Sequence, residues 1–169
     1  PNQDRKPSRT SWPEERERGP GDVMLEIQNI SKNFGGIMAL SGIDFSIAEG
    51  SFVGLIGPNG SGKTTMFNLI SGALKPSAGK VVYQDRTISG LNPNAICHAG
   101  IARTFQIPQP IKSLTVAENI MLGVLFGRGQ KASFQERHLK EEAIKIQEFV
   151  GLNLDPDSFP DKMTAGDLR

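Results

Sequence analysis

The distribution of apolar and polar residues predicts three strands in the first third of the chain. Apolar and polar residues alternate over 25–30 and again over 43–47, which is typical of strands with one buried face. Phe52 to Ile56 is nearly continuous in apolar residues, as expected of a strand covered on both faces. Gly35-Gly36 ends the first strand, and Glu49-Gly50 predicts a hairpin turn before the third.

Helical spacing of apolar residues predicts four helices. They are Thr64 to Leu74, Asn92 to Ala99, Thr115 to about Phe126, and a segment from Ser133 to a terminal Gly151. Two capping boxes begin the last two helices, namely Thr115 with Glu118 and Ser133 with Glu136. The last helix has an apolar side formed by Leu139, Ala143, Ile146 and Val150. Short strands are predicted at Lys80 to Tyr83, before a turn around Asp85-Arg86, and at Ile101 to Phe105.

Composition limits the function classes. The 169 residues are 37% hydrophobic and 22% charged, which suits one domain with its own core. The formal net charge of +1 gives no broad electrostatic footprint for nucleic acid, so no nucleic-acid partner is expected. Cys97 is the one cysteine of the sequence, which excludes an internal disulfide. No apolar run approaches the ~18 residues of a membrane-spanning helix.

Both ends of the chain have unusual features. Residues 1–23 carry many charges of both signs and few large apolar groups, which predicts a disordered tail or linker. Either Met24 is the true start, or residues 1–23 connect to an upstream domain. At Arg169 the chain stops without cap or turn chemistry, so we expect it to be truncated inside an element.

The middle of the chain matches the phosphate-loop pattern G-x-x-x-x-G-K-[ST]. Its glycines allow backbone N–H groups to surround phosphate oxygens. The charge of Lys63 meets the β- and γ-phosphates, and the Thr64 hydroxyl is a hard oxygen ligand for Mg²⁺. The helix after the loop directs its positive N-terminus at the anion. The predicted nucleotide-binding residues are Gly57, Pro58, Asn59, Gly60, Ser61, Gly62, Lys63, Thr64 and Thr65.

From residue 24 to 169 the chain resembles the ATP-binding subunits of ABC transporters, in which GPNGSGKTT is a typical phosphate loop. Phe34 corresponds to the aromatic residue that stacks on adenine in this family, and an aromatic face needs no hydroxyl to do so. Gln106, after Arg103-Thr104-Phe105, resembles the Q-loop glutamine, which contacts Mg²⁺ and the attacking water in the family. The resemblance implies ATP and Mg²⁺ as cofactors, with Thr64 and Gln106 at the metal and Lys63 and Gln106 as catalytic residues.

Near the end of the chain, residues 163–167 occupy the position of the family's Leu-Ser-Gly-Gly-Gln signature. In the family this segment faces the γ-phosphate held by the opposite subunit. The resemblance gives this role to Thr164, Ala165, Gly166 and Asp167. Ala165 and Asp167 depart from the pattern, since they add a methyl group and a negative charge beside an anion. A simple N-capping turn is the alternative interpretation of this segment.

The family's later motifs are not found in the 169 residues: the strand that ends in a Mg²⁺-linked aspartate, the catalytic glutamate and the switch histidine. His98 and His138 do not replace that histidine, because His98 precedes Gln106 and His138 is predicted to face solvent. We therefore expect the parent protein to be an ATP hydrolase and this chain alone to be inactive.

The implied fold class is α/β, a P-loop NTPase of the ABC ATPase type. It would comprise an N-terminal antiparallel β-subdomain, an incomplete parallel-sheet core to about residue 105, and a helical subdomain over about 106–169. This division rests on the resemblance.

Three segments narrow the resemblance to the ATPases of branched-chain amino acid importers or their urea and amide relatives: 34–36, 103–106 and 114–120. Such a subunit would have transmembrane permease subunits and a second ATP-binding subunit as partners, with a substrate-binding protein acting indirectly. It would lie at the cytoplasmic face of the plasma membrane, and it would be fused to a permease if residues 1–23 are a linker. Two alternatives stay open: a soluble ABC ATPase outside transport, and a non-catalytic nucleotide-binding module.

Overall fold

The computed structural model describes residue 19 and residues 21–105, 109–127 and 136–160. These residues contain four strands, which are β1 (Val23–Phe34), β2 (Ile37–Ala48), β3 (Ala78–Tyr83) and β4 (Arg86–Thr87). They also contain four helices, which are α1 (Lys63–Ile70), α2 (Pro93–His98), α3 (Val116–Gly127) and α4 (Glu136–Phe149). Most of the predicted tail, the Ser133 capping box and the 163–167 segment lie outside the described residues.

The four strands form one antiparallel sheet in the order β2-β1-β3-β4. Strand β1 is central, and its Leu25 lies between Ile47 of β2 and Tyr83 of β3. The predicted strands at 25–30, 43–47 and 80–83 are confirmed. Gly35 and Gly36 have φ values of 54° and 104° and form the turn between β1 and β2, which explains glycine at both positions.

One face of the sheet packs against α1 and α2. Ile27 and Ile30 of β1 and Val81 of β3 are buried together with Leu69 of α1 and Ile96 of α2. Leu25 and Ile27 follow the alternation of the sequence, whereas Ile30 is displaced by one position, because the pairing shifts between Ile27 and Ile30 and Asn29 has a φ of 49°. This core fixes the start of α1 against the β1–β2 hairpin.

Helices α3 and α4 pack on each other. The predicted capping box at the start of α3 is confirmed, because Thr115 N donates to Glu118 Oε2 at 2.7 Å and Glu118 N donates to Thr115 Oγ1 at 3.3 Å. The next two amides, of Val116 and Ala117, donate to carbonyls of the loop after α4, those of Ser158 and Pro156, each at 2.9 Å.

The predicted glycine caps the end of helix α4. Gly151 lies two residues after Phe149, the last residue of the helix, and has a φ of 70°. Leu152 N donates to Gln147 O and Gly151 N donates to Glu148 O, each at 3.0 Å, which is the Schellman arrangement. The predicted apolar side of α4 is only half correct. Leu139 and Ala143 are buried, whereas Ile146 and Val150 are 41% and 64% exposed.

Two strand predictions are wrong. Residues 52–56 and 101–105 pair with no strand in the described part of the chain. Phe52 and Ile56 are almost fully exposed, at 105% and 94%. A parallel strand needs a neighbour that takes up its backbone hydrogen bonds, and no parallel pair occurs among the described residues. Glu49 and Gly50 do form a turn, closed by Ser51 N to Ala48 O at 3.2 Å, but no paired strand follows it in that part.

Two boundaries also differ from expectation. Helix α1 ends at Ile70 and not at Leu74, since the chain reverses at Gly72 with a φ of 73°. A β-carbon on Gly72 would lie 2.6 Å from Ile96 Cδ1, so the turn is pressed against α2. The turn after β3 falls on Gln84 and Asp85, one residue earlier than predicted. No helix among the described residues is long and apolar enough to cross a membrane.

Candidate nucleotide-binding site

The glycine-rich segment 57–62 forms a loop that leads directly into α1. Gly60 and Gly62 have φ values of 82° and 89°, which L side chains rarely adopt. A β-carbon on Gly62 would lie 2.6 Å from Leu40 Cδ2 and 2.8 Å from Ala39 O. The loop therefore approaches the backbone of β2 as closely as a glycine permits.

Lys63 is the first residue of α1, and its ammonium group turns back over the loop. Its Nζ donates to Gly57 O and Pro58 O, each at 2.6 Å. A lysine ammonium has three N–H donors, so these two bonds fix its position and leave one donor for an anion. The arrangement places a positive charge at the centre of the loop.

The N-terminus of α1 adds to this positive field. No acidic side chain lies in its first turn, and no side chain caps Gly62. The first N–H groups of the helix are thus available to an anion at the positive end of the dipole. Thr64, in the same turn, is exposed to solvent. These features match a site for phosphate groups.

A cavity of about 300 Å³ lies beside the loop. Its walls combine apolar side chains of β2 and α1 with the loop itself, among them Leu40, Phe45, Pro58, Lys63 and Met66. The phosphate loop therefore borders an apolar recess on its β2 side.

Phe34 and the phosphate loop lie against the same β1–β2 hairpin. Phe34 ends β1 and pairs with Ile37 of β2. Gly62 of the loop contacts Leu40, which lies three positions further along β2. At ~3.3 Å per residue, the strand separates the two points by about 10 Å. The Phe34 side chain is 43% exposed. An aromatic face and a phosphate loop at this separation suit a ligand in which a sugar joins a base to phosphates.

Comparisons with known proteins agree with this geometry. The sequence model of the ABC transporter family matches residues 40–168. The chain belongs to the ABC transporter family. A probable branched-chain amino acid transport ATP-binding protein, LivG of Archaeoglobus fulgidus, is 40% identical over 154 residues, which are 86% of this chain and 60% of that protein.

Two solved structures support the ABC ATPase fold directly. The ADP conformation of MJ1267, an ATP-binding cassette of an ABC transporter, has a TM-score of 0.72 at 37% identity, over 86% of this chain and 61% of that one. The dimeric post-hydrolysis state of the cassette MJ0796, bound to ADP and Pi, has a TM-score of 0.75 at 26% identity, over 86% and 65% of the two chains. The predicted fold class is confirmed. This ABC chain spans about 60% of the length of such relatives.

Several predicted site residues of this ABC chain lie outside the described residues. They are Gln106 and the signature positions Thr164, Ala165, Gly166 and Asp167. The described site therefore joins only the phosphate loop, Thr64, Thr65 and Phe34. His138 is 55% exposed and lies 3.8 Å from Glu142 on α4, as expected of a histidine that faces solvent.

Sequence reasoning missed Arg103, which lies three positions before Gln106. Its NH1 donates to Asn68 Oδ1 at 2.5 Å and to Ser71 Oγ at 3.3 Å, so it ties this segment to the end of α1. Its guanidinium also lies 5.0 Å from the centre of the Phe105 ring. No spacing in the sequence predicts the hydrogen bonds to Asn68 and Ser71, because these partners lie more than thirty residues away at the end of another element.

Proposed function

We propose that this chain is part of an ATP-binding and ATP-hydrolysing subunit of an ABC transporter. The observation that carries the proposal is that the phosphate loop packs against Leu40 of the same hairpin that carries Phe34, about 10 Å further along the strand. ATP contains both groups that such a site recognises. The ADP-bound relative supports an adenine nucleotide as the ligand.

Each residue of the loop has a defined task in this proposal. Lys63, already held by Gly57 O and Pro58 O, directs its remaining N–H at the β- and γ-phosphates. The glycines bring backbone N–H groups to the phosphate oxygens. Phe34 stacks on adenine. The chemistry is mainly positioning and charge stabilisation of the transferred phosphoryl group.

The residues present fit Mg²⁺. The described part of the chain contains no group of three or more His, Cys, Asp and Glu side chains that could hold a metal. Mg²⁺ commonly binds through few protein ligands together with substrate phosphates and water. Thr64 would be one ligand and Gln106 would approach the ion from the Q-loop. The bound ion would neutralise charge that develops on the phosphates.

A second ATP-binding subunit would complete the site. In this proposal the segment Thr164 to Asp167 of one subunit faces the γ-phosphate held by the other, and closure of the pair drives transport. The relative that is dimeric with ADP and Pi supports this arrangement. Ala165 and Asp167 favour weaker contacts there, and they keep a non-catalytic nucleotide-binding module as the second candidate function.

The relatives support the proposals for the transported substrate and the membrane partners. LivG of A. fulgidus is named for branched-chain amino acid transport, and its 40% identity supports a branched-chain amino acid as cargo. A related small amide rests on the resemblance of the sequence segments alone. The subunit would lie at the cytoplasmic face of the plasma membrane, docked on permease subunits. A substrate-binding protein would select the cargo, and residues 1–23 would join a permease only if they are a linker.

The test is to measure MgATP binding by calorimetry for the full-length wild-type protein and for its Lys63→Ala variant. Loss of the ammonium group should abolish measurable binding, because Lys63 supplies the positive charge that the loop carbonyls hold in place. Lys80→Ala is the matched control, since it removes the same charge from an exposed position on β3 and should bind MgATP as the wild type does. Retention of micromolar MgATP binding by Lys63→Ala would refute the assignment of the loop.

A further inference from the structure

Lys32 lies beside the aromatic ring of Phe34. Its Nζ is 5.0 Å from the ring centroid, and the same Nζ donates to Lys75 O at 2.9 Å. The two side chains meet at the end of β1, where the pairing with β2 shifts between Lys32 and Asn33. The carbonyl of Lys75 fixes the ammonium group and therefore also fixes the cation–π contact.

The acceptor of this bond belongs to a short connection between α1 and β3. Ser77 N in this connection donates to Ser31 O at 2.9 Å, and Asn33 N donates to Ser77 Oγ at 3.1 Å. Together with the Lys32 bond, these contacts fasten the end of β1 to the chain that leaves the phosphate-loop helix. We name this set of three hydrogen bonds the strap. It connects the aromatic position to the segment that follows α1, the helix that begins with Lys63.

The ammonium group covers one face of the Phe34 ring. The Phe34 side chain is nevertheless 43% exposed, so part of the ring stays open to solvent. A cation on one face restrains rotation of the side chain and leaves the exposed part of the ring for a planar group. A side chain that is held in its bound orientation before binding loses less entropy when the ligand arrives.

We propose that Lys32 is a positioning residue for base recognition: it holds the Phe34 ring from behind, through the strap, so that adenine stacks on its exposed part. The proposal deepens the proposed nucleotide site and rests on it. Lys32 touches no phosphate in this proposal and carries no catalytic role. Its effect reaches the ligand only through Phe34.

The experiment compares two ligands, MgATP and inorganic tripolyphosphate with Mg²⁺, on the full-length protein. Tripolyphosphate can occupy the phosphate loop but has no base to stack. Lys32→Met keeps the aliphatic length of the side chain and removes the charge. It should weaken MgATP binding about three- to fivefold, as expected for an exposed cation–π contact, and leave tripolyphosphate binding unchanged. Lys32→Arg should keep most of the MgATP affinity, because a guanidinium also makes cation–π contacts and can donate a hydrogen bond to a carbonyl such as Lys75 O.

Two results would overturn the proposal. Equal weakening of both ligands by Lys32→Met would show that Lys32 attracts phosphates as a charge. An unchanged MgATP affinity would show that the contact does not position the ring. Phe34→Ala separates this proposal from the one it rests on, since it should weaken MgATP binding about tenfold and leave tripolyphosphate binding unchanged. If Phe34→Ala does not change MgATP binding, adenine does not stack on Phe34 and the proposed site is wrong. If Phe34→Ala weakens MgATP binding and Lys32→Met does not, only the proposed role of Lys32 is wrong.

Discussion

The side-chain amide of Asn119 binds both backbone groups of Ile111. Its Oδ1 accepts from Ile111 N at 2.8 Å, and its Nδ2 donates to Ile111 O at 3.1 Å. The same Nδ2 also lies 3.1 Å from Leu114 O and 2.9 Å from Thr115 O. One residue of α3 thus holds the loop that precedes the helix.

Asn119→Ala should lower the free energy of unfolding of the full-length protein by about 2 kcal/mol. The reason is that the variant loses these hydrogen bonds, among them the bonds of Ile111 N and Leu114 O to the side chain, although Ile111 O and Thr115 O keep their backbone donors. Denaturant unfolding followed by circular dichroism measures the change. Asn153→Ala is the matched control, since Asn153 is exposed and no side-chain hydrogen bond links it to other described residues. Equal losses for the two variants would contradict the role of Asn119.

Gly62→Ala should disrupt the phosphate site. The new β-carbon would adopt an unfavourable φ of 89° and approach Ala39 O to 2.8 Å, so the loop must move away from β2. Gly60→Ala has a similar φ of 82° but meets no atom within 4 Å. We expect Gly62→Ala to weaken MgATP binding at least tenfold more than Gly60→Ala, as measured by calorimetry. Similar affinities for the two variants would mean that the close approach to β2 is unimportant.

Gly151→Ala should destabilise the protein by about 1 kcal/mol, because an alanine at a φ of 70° pays the cost of the left-handed region. Gly123→Ala should instead stabilise the protein. Gly123 lies inside α3 with no positive φ and open space around it, so alanine improves helix propensity by up to about 1 kcal/mol. Thermal unfolding of the two variants checks the prediction, and a shift of the same sign in both would refute it.

The pair of Lys140 and Asp157 should make the stability of the protein fall at alkaline pH. The hydrogen bond from its Nζ to Asp157 Oδ1 at 2.6 Å, and then the charge of that carboxylate, raise the pKa of Lys140 above 10.5. Because the pKa of Lys140 is higher in the folded state, the pair stabilises the fold fully at a pH below the pKa of the unfolded state. This stabilisation is lost as the pH rises through the pKa of the folded state. Denaturant unfolding at a series of pH values measures this change. Lys140→Met should reduce the fall in the free energy of unfolding that the wild type shows above a pH of about 10. A variant whose stability falls with pH as the wild type's does would contradict this assignment.

Local signals in the sequence predicted local structure well. The strand over 25–30, the capping box of Thr115 and Glu118, and the glycine cap at Gly151 each depend on neighbours within a few residues, and all are confirmed. The alternation in the strand is interrupted by a register shift between Ile27 and Ile30. The strand predicted at 52–56 failed for the opposite reason, because a parallel strand depends on partners that the local sequence does not encode.

The same distinction explains the side-chain contacts. Gln147 is 5% exposed on α4 although it is polar, since its Nε2 donates to Leu152 O and Leu154 O in the turn that follows. Apolar spacing cannot identify such a residue. The phosphate loop was predictable because its residues are consecutive. The strap that reaches Lys75 and Ser77 from β1 joins positions more than forty residues apart, and no motif marks it.

The start of α3 has a consequence for the order in which the chain folds. The amides of Val116 and Ala117 find their acceptors about forty residues further along, at Ser158 and Pro156. First-turn amides of a helix normally exchange rapidly with water, but these two should be protected as long as that later loop is docked. On a ribosome, these two amides of α3 can therefore find their protein acceptors only after α4 and the loop beyond it have emerged. Until then they are bonded to water, so the start of α3 becomes protected later than the rest of that helix.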